Sequence, residues 1–236
     1  MTGRARPVLR VRFYRTPTGA RPVRDWLLSQ TKEVRRESGS DIERVQWQWP
    51  VGKPLVDGFG AGLYEVRTSH EGEPYRVLFY VEGDALVLVH GESRRGTMVL
   101  VHGIHKKTQR TPATVVTLAR KRMHEGRNMR KQARDELEEL FEELGELEEV
   151  RALTRKKLLA DALQKAMKKQ KVTPAEMARR MGTSRPTVYR LLDPSERGAT
   201  LDTLERASFA LGLKLEIRLM PAVRPKGRRQ SGRRAA

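Results

Sequence analysis

Four cations in the first half of the chain could bind a phosphate group and stabilise charge on it. Arg67 and Arg76 fall in two neighbouring predicted strands, where their side chains can converge on one face. Lys106 and Lys107 directly follow the last predicted strand of this region. Guanidinium and ammonium groups bind phosphate oxygens and stabilise the negative charge that develops when a phosphate ester reacts. These residues are therefore candidate catalytic cations.

Two histidines and one lysine could complete such a site. His102 and His105 could exchange protons near neutral pH, because a free imidazole titrates there. Lys53, which precedes a glycine-rich loop, could contact an anionic ligand. Each charge could instead be a solvated rim residue, and His102 could be a hydrogen-bonded core histidine inside a strand. The histidines lack a recognised metal-ligand spacing, so we expect no metal and no other cofactor.

The apolar pattern predicts the elements that position this site. One strand, two helices, a run of antiparallel strands and a last helix form a small α+β unit. In the segment GLYEVR, alternation places Tyr64 and Val66 on one face and Glu65 and Arg67 on the other. The predicted strands are 8–14, 63–67, 75–81, 86–89 and 98–102, and the predicted helices are 23–30, 42–48 and 112–124, with a polar connection around Gly39.

A short repeat interrupts this order. The sequence VLVHG occurs at 87–91 and again at 99–103. Deleting Ala85–Gly96 would leave one continuous strand and loop, so we infer a local duplication. It predicts either an extra hairpin strand or the displacement of one copy from the sheet.

The composition limits the class of protein. A chain of 236 residues with 38% hydrophobic residues has room for one or two domains. The absence of cysteine excludes disulfides, thiolate zinc sites and thiol nucleophiles, and fits a reducing, cytoplasmic location. There is no signal-peptide pattern and no run of about 18 apolar residues. We therefore expect no membrane partner.

The charge is distributed unevenly along the chain. The formal net charge of +19 divides into +9 for residues 1–126, −5 for 127–150, +9 for 151–220 and +6 for 221–236. Two separate basic modules predict polyanionic partners, most plausibly nucleic acid. Basic ribosomal and membrane-surface proteins share this property, so charge alone does not identify the partner.

The acidic stretch Asp135–Val150, called the covering segment below, separates the two basic modules. It holds nine of the 29 acidic residues and no basic one. A helical spacing of apolar residues gives it one apolar side. We predict that this side docks in a groove of the first module while the carboxylates meet the cations of the candidate site. The alternative is a solvated linker helix. The apolar residues predicted to dock are Leu137, Leu140, Phe141, Leu144 and Leu147.

The stretch Thr173–Asp193 has the pattern of two short helices joined by a tight turn at Gly182. Thr173 can cap the first helix and Ser184 the second. An exposed basic face on the second helix is typical of a helix-turn-helix that reads DNA, although a plain helical hairpin has the same outline. The predicted DNA-contacting residues are Ser184, Arg185, Thr187, Tyr189 and Arg190.

Sequence resemblance supports this DNA-binding interpretation. The stretch AEMARRMGTSRPTVYRLLDP resembles XRE-type helix-turn-helix domains. With the flanking LEEVRALTRKKLLADALQKAMKKQKV and ATLDTLERASFALGLKLEIRL, residues 135–220 are similar to the HigA antitoxin subgroup. The resemblance implies an all-α domain that binds operator DNA. The alternation in KLEIRL predicts a C-terminal strand at 214–219, and we expect a homodimer on the DNA.

The first module resembles another family. The motifs DIERVQWQWPVGKPLV, GLYEVR, YRVLFYVEGD and MVLVHGIHKKTQRTP, within residues 8–124, resemble the phage Gp49-like branch of HigB toxins in the RelE superfamily. Such toxins cleave mRNA in the ribosomal A site without a metal. The candidate catalytic residues Arg67, Arg76, His102, Lys106 and Lys107, and the candidate RNA contacts Lys53 and His105, all lie within the residues that carry this resemblance.

The predicted organisation is a toxin domain (1–126), a linker with the acidic neutralising helix (127–150), a helix-turn-helix domain (151–220) and a basic disordered tail (221–236). The predicted function is an autoinhibited, ribosome-dependent mRNA endoribonuclease tethered to a DNA-binding antitoxin that represses its own operon. The alternative is a transcriptional repressor whose toxin half is inert and serves as a structural or dimerisation platform.

Overall fold

A computed structural model describes residues 7–83, 87–89, 92–94, 96–105, 110–126, 135–193 and 200–215. Of residues 87–89, 92–94 and 96 it describes the backbone alone. The chain divides into two compact units. The first comprises Met1–Ala162 with Leu192–Ser195, and the second comprises Leu163–Leu191 with Glu196–Ala236.

The first unit is built on a five-stranded sheet of order β1-β7-β4-β3-β2. Its strands are β1 (Leu9–Phe13), β2 (Val56–Gly58), β3 (Leu63–His70), β4 (Glu73–Glu82) and β7 (Gly96–His105). Its helices are α1 (Pro22–Ser29), α2 (Lys32–Gln48), α3 (Ala113–Gly126), α4 (Glu136–Glu143) and the first part of α5 (Leu147–Gln170). The α+β class is therefore confirmed.

The sheet is mixed, whereas the sequence predicts an antiparallel one. Strands β2, β3, β4 and β7 pair antiparallel in succession, but β1 pairs parallel to β7. Hairpins force neighbouring strands into opposite directions. No hairpin constrains β1, because the chain leaves it through α1 and α2 and re-enters the sheet at the far edge.

Two apolar cores lie on the two faces of the sheet. Val11, Phe13 and Val66 contribute to the core shared with α1, α2 and α4. Leu63 and Leu78 contribute to the core shared with α3. The face assignment predicted for GLYEVR is confirmed, because Tyr64 packs on the first core while Glu65 and Arg67 alternate with it onto the α3 side.

Helix α2 corrects the predicted polar connection around Gly39. The helix runs without a break from Lys32 to Gln48, and Ser38, Gly39 and Ser40 are buried inside it. Glycine and serine weaken an isolated helix, but here tertiary packing decides. The ring of Phe141 lies so close to Gly39 that a Cβ at residue 39 would overlap it.

The repeated VLVHG sequence is split between two sheets. The first copy contributes β5 (Val87–Val89), which pairs only with β6 (Glu92–Arg94) in a separate two-stranded sheet. The second copy lies in β7, at the centre of the main sheet. The predicted displacement of one copy from the sheet is thus confirmed for the described residues.

The second unit contains the end of α5 followed by α6 (Pro174–Arg180), α7 (Arg185–Leu192) and α8 (Leu201–Ala210). The Thr173 hydroxyl accepts a hydrogen bond from the Glu176 N–H at 3.2 Å and caps α6. Gly182 adopts a φ of 61° in the turn before α7, a conformation that favours glycine. Met177, Val188 and Ala207 are fully buried between these helices.

Several predicted segments lie outside the described residues. Of the predicted strand 214–219, residues 214 and 215 are described and form no strand, and the rest is outside. The predicted tail, 221–236, is also outside. Among the described residues, no helix combines the length and apolar character needed to cross a membrane.

Candidate functional site

Arg67 and Arg76 lie directly opposite each other on β3 and β4. Opposed residues of an antiparallel pair project from the same face of a sheet, so the predicted convergence of the two guanidiniums is found. The side chain of Arg67 is 30% exposed and that of Arg76 is 13% exposed. A cleft of about 520 Å³, also lined by Ser69 and His70, opens beside them.

The buried carboxylate of Glu65 joins the two arginines. Its Oε1 accepts a hydrogen bond from Arg67 Nε at 3.0 Å and lies 3.6 Å from Arg76 Nε. Its Oε2 accepts a hydrogen bond from the Thr111 hydroxyl at 2.8 Å. Glu65 is only 2% exposed. It therefore fixes both guanidiniums to the segment that enters α3.

Burial lowers the pKa of Arg76, an effect that Glu65 opposes and Arg67 reinforces. Two backbone carbonyls accept hydrogen bonds from Arg76 Nη1, Tyr75 O at 2.7 Å and Thr68 O at 3.2 Å. These contacts hold the Arg76 side chain against the sheet. Arg67 is the more exposed of the pair and so the more available to a ligand.

A second carboxylate, that of Asp57 on β2, lies between Arg67 and Lys53. Asp57 Oδ2 accepts a hydrogen bond from Arg67 Nη2 at 2.5 Å and lies 3.3 Å from Lys53 Nζ. Burial acts to raise the pKa of Asp57, but the Gly58 N–H, Lys53 and Arg67 outweigh it and lower that pKa. Asp57 thus stays ionised between Arg67, a predicted catalytic cation, and Lys53, a predicted RNA contact.

His102 is not poised for proton exchange near neutral pH. Burial and the neighbouring Arg122 lower its pKa to about 4. Arg122 Nη1 lies 3.0 Å from His102 Nδ1, and it also donates to the Val101 carbonyl at 2.8 Å. The imidazole is therefore neutral at pH 7 and accepts a hydrogen bond, which matches the alternative of a core histidine.

His105 lies on the opposite face of the sheet from the arginines. It is opposite Tyr75, which alternates with Arg76 along β4. The His105 and Tyr75 rings stack with centroids 4.7 Å apart, and His105 Nε2 lies 2.9 Å from the Glu73 carboxylate. The structure therefore does not bring His105 together with Arg67 and Arg76. Lys106 and Lys107 lie outside the described residues.

The apolar side of the covering segment is part of the core of the first unit. Leu137, Leu140 and Phe141 are at most 3% exposed and pack in the same cluster as β1, α1 and α2. Leu144 and Leu147 are partly buried against it. The segment is not one helix, because Gly145, with a φ of 66°, separates α4 from α5.

The covering segment also closes the free edge of β1. Asp135 Oδ2 accepts a hydrogen bond from the Val11 N–H at 3.0 Å, and Glu136 Oε2 accepts one from the Phe13 N–H at 2.6 Å. Asp135 Oδ1 caps α4 through the Leu137 N–H at 3.1 Å. An edge strand otherwise presents unpaired backbone groups. The two carboxylates thus accept hydrogen bonds from β1 backbone N–H groups that a sixth strand would otherwise bind.

Four arginines of the first unit pair with Glu136, Glu143, Glu146 and Glu149 of the segment. These arginines lie after β1 and on α1 and α2, so among the described residues these four carboxylates do not meet Arg67 or Arg76 as predicted. The physical reason is that Asp57 and Glu65 already balance that site from within the sheet. The covered pairs are Arg15–Glu136 at 2.7 Å, Arg24–Glu143 at 2.8 Å, Arg35–Glu146 at 2.6 Å and Arg36–Glu149 at 2.8 Å.

Helix α5 extends this interface beyond the covering segment. Asp161 accepts hydrogen bonds from Arg44 Nε and Nη2 at 2.8–3.0 Å. The buried Lys157 donates to Asp41 Oδ1 at 2.8 Å and to Glu37 Oε2 at 2.7 Å. These contacts were not foreseen, because helical periodicity identifies apolar faces and gives no signal for a lysine buried among acids.

Most of the α7 face that the sequence predicts to read DNA is exposed. Val188 and Leu191 point inward, while Arg185, Tyr189 and Arg190 are exposed. At the start of the helix the Ser184 hydroxyl accepts a weak hydrogen bond from the Thr187 N–H at 3.4 Å. Ser184 is exposed and Thr187 half-buried. The helix therefore presents its N-terminal turn and one basic side to solvent, as DNA reading requires.

Two family models match separate parts of the chain. Residues 25–124 match the family described as phage derived protein Gp49-like. Residues 162–216 match the family described as Cro/C1-type HTH DNA-binding domain. The Arg67–Arg76 site lies in the first matched region and α7 in the second, and the covering segment lies between the two. No curated protein and no solved structure gives a significant match.

Proposed function

Since the chain joins a Gp49-like domain to a Cro/C1-type helix-turn-helix domain, we propose that it is a toxin–antitoxin fusion. Its first unit is a metal-independent endoribonuclease that cleaves mRNA on the ribosome. Its covering segment holds that activity off, and its second unit binds the operator of its own operon as a homodimer. The observation that carries the proposal is the pairing of Arg67 and Arg76 on one face of the sheet beside an open cleft.

The arginine pair is suited to the anionic phosphodiester of RNA. In cleavage by the 2′-hydroxyl, the 2′-oxygen bonds to phosphorus while the bond from phosphorus to the 5′-oxygen breaks. The 2′ proton is removed by a base, and the leaving 5′-oxygen gains a proton. Guanidiniums stabilise the charge on the phosphoryl oxygens. Because burial keeps His102 neutral at pH 7, it is a poor general acid, and Lys106 and Lys107 remain predicted catalytic residues.

The covering segment would inhibit by excluding the ribosome. Its carboxylates occupy Arg15, Arg24, Arg35 and Arg36, and its apolar side fills the groove over α2. None of these contacts touches Arg67 or Arg76. Inhibition would therefore act on the approach of the large polyanionic partner and leave the arginine pair in place.

The second unit would place α7 in the major groove. A homodimer would contact two half-sites roughly 34 Å apart, about one helical turn of DNA. Arg185→Ala with Thr187→Ala should abolish the preference for the operator over unrelated DNA in a footprinting assay. Deleting 221–236 should instead weaken binding to both and flatten its salt dependence. A changed sequence preference after the deletion would refute this division of roles.

The activity is tested by comparing growth and translation in cells that express three full-length proteins. The wild-type chain should be harmless. A chain whose covering segment is displaced by Leu140→Asp with Leu144→Asp should arrest translation. The same chain with Arg67→Ala and Arg76→Ala should again be harmless. A folded, displaced chain that leaves translation unchanged would rule out the endoribonuclease.

One observation favours the alternative of an inert toxin half that serves as a platform for a repressor. Leu137, Leu140, Phe141 and Val150 share one core with β1 and α2, and a tethered inhibitor has a very high effective concentration. Such a segment would rarely leave its groove. In this case the displaced chain would lose stability and operator binding together, without any effect on translation.

A further inference from the structure

Lys53, Arg67 and Arg76 of the candidate site share two carboxylates, Glu65 and Asp57, which differ in burial. Glu65 is 2% exposed and is held by Thr111 through a 2.8 Å hydrogen bond. The Asp57 side chain is 27% exposed and belongs to the short edge strand β2. Moving Glu65 would leave a buried charge unpaired, which is costly. Moving Asp57 into solvent would replace its partly exposed ion pairs with Lys53 and Arg67 by those of an incoming anion, and such an exchange costs little.

The position of Asp57 is the one that a phosphate would take. One of its oxygens lies 2.5 Å from Arg67 Nη2 and 3.3 Å from Lys53 Nζ. A phosphodiester shares one negative charge between two non-bridging oxygens, which can accept hydrogen bonds from the same donors. Arg67 Nε stays bound to Glu65 in either case, so its guanidinium would keep its orientation while Nη2 changes partner.

We propose that Asp57 occupies the place of the RNA phosphate in the resting site and that a phosphodiester displaces it. Glu65 remains in place as the positioning residue for Arg67 and Arg76. This inference rests on the proposed function in taking RNA as the ligand. It predicts opposite effects for two acids in one site: removing the charge of Asp57 strengthens phosphodiester binding, and removing that of Glu65 weakens it.

Nuclear magnetic resonance of the arginine side chains of the full chain tests this proposal. The Arg67 Nε–H signal, assigned with Arg67→Lys, reports on this site alone and is independent of nucleic acid bound by the second unit. The probe is a 2′-O-methylated dinucleoside monophosphate, which carries one phosphodiester and resists cleavage. Glu71→Gln is the matched control, because Glu71 is an exposed acid that lines the cleft beside Arg67 and Arg76.

Asp57→Asn should lower the Kd of the dinucleotide about three- to tenfold, the range expected for releasing a partly exposed ion pair. Glu71→Gln should change it less than twofold. Equal effects of the two variants would reduce the result to general electrostatics and overturn the proposal. So would an unchanged Kd in Asp57→Asn, or an Arg67 signal that does not respond to the probe.

Glu65→Gln should raise the Kd and shift the Arg67 Nε–H signal even without probe. A purely structural role would instead disturb core signals and leave the guanidinium signal in place. Should Glu65→Gln not fold, Thr111→Val, which removes only the anchoring hydroxyl, should show the same shift and a higher Kd. A chain that binds the probe as predicted but never cleaves mRNA would refute the proposed enzyme and leave the role of Asp57 standing.

Discussion

The first unit contains two groups of arginines that are balanced by carboxylates from different sources. Arg67 and Arg76 pair with Glu65 and Asp57, which lie on neighbouring positions of the same sheet. The covered arginines, namely Arg15, Arg24, Arg35 and Arg36, pair with carboxylates of the covering segment. The charge of the first group is therefore balanced locally, and that of the second depends on a segment far away in sequence.

The two groups therefore differ in role: Arg67 and Arg76 belong to the candidate catalytic site, whereas the covered arginines lie on the surface to which the covering segment limits access. Removing the covering segment would uncover the second group and its apolar groove, but would leave the charge balance at Arg67 and Arg76 unchanged. The ion pairs of the covered group also differ in how much they stabilise the docked segment. Glu136 and Glu146 are buried, whereas the Glu143 and Glu149 side chains are 63% and 49% exposed. Exposed pairs contribute little, so the apolar contacts and the two buried acids hold the segment.

The largest effect is expected from Leu140→Asp with Leu144→Asp. Leu140 is 1% exposed, and an unpaired charge in an apolar core costs several kcal/mol. The segment should leave its groove, which rapid proteolytic cleavage within 135–150 would report. Glu138→Gln with Glu139→Gln is the control and should leave the segment protected, since Glu138 is exposed. Protection that survives the aspartates would show that the charges, not the leucines, hold the segment.

The sequence predicted this apolar contact but not its partners. A helical stripe is a local pattern, so Leu137, Leu140 and Phe141 could be selected from their spacing alone. Which arginines face Glu136 or Glu146 depends on contacts across more than one hundred residues, for which one sequence gives no signal. The polar stretch around Gly39 predicts a connection, whereas the helix continues through it and the Phe141 ring requires a glycine there.

The face of a strand residue was predictable only where the sheet is regular. Alternation placed Arg67 correctly, because β3 and β4 pair without interruption. In the β4–β7 pair the register shifts between Leu78 and Phe79 of β4, so that Leu78 lies opposite His102 while Phe79 lies opposite Leu100. A bulge of this kind changes which face a side chain occupies. It turns His102 toward Arg122, a contact that strict alternation cannot anticipate.

Arg35→Ala and Arg67→Ala should show that the two groups of arginines act independently. Arg35→Ala leaves the buried Glu146 with a weaker partner, Arg36 at 3.9 Å, and should lower the free energy of unfolding by about 1–3 kcal/mol. It should also make the covering segment more accessible to protease. Arg67→Ala should leave that accessibility unchanged and abolish phosphodiester binding. Increased proteolysis of the segment in Arg67→Ala would contradict the independence of the two groups.

Gly39→Ala probes the apolar part of the covered interface. Alanine normally stabilises a helix relative to glycine, but here the new methyl group overlaps the Phe141 ring. We expect a loss of about 1–3 kcal/mol in unfolding free energy from overpacking, measured by urea denaturation. Combining it with Phe141→Leu should make the alanine less harmful. Gly52→Ala is the control, since nothing lies within 4 Å of its added Cβ.

The smallest effects concern pH, and two carboxylates of the covered interface should act in opposite directions. The hydrogen bond from Arg35 lowers the pKa of Glu146 below its ordinary 4.5. The stability that this pair adds is fully present above pH 4.5 and is lost as the pH falls through the lowered pKa. Burial raises the pKa of Asp135, despite the Val11 N–H and Gln46 that bind its charged form. Its ionised form is therefore disfavoured in the folded protein, and protonating it as the pH falls adds stability.

Unfolding free energies measured between pH 6 and pH 3 should distinguish these two carboxylates. In Glu146→Gln the unfolding free energy should fall less steeply with decreasing pH than in the wild-type chain, because the carboxylate that must be protonated is gone. In Asp135→Asn the unfolding free energy should fall more steeply with decreasing pH, because the stability gained by protonating Asp135 is gone. Should both variants shift the profile in the same direction, the acid response would come from other groups, and the edge of β1 would be closed by Asp135 without the burial cost that the structure implies.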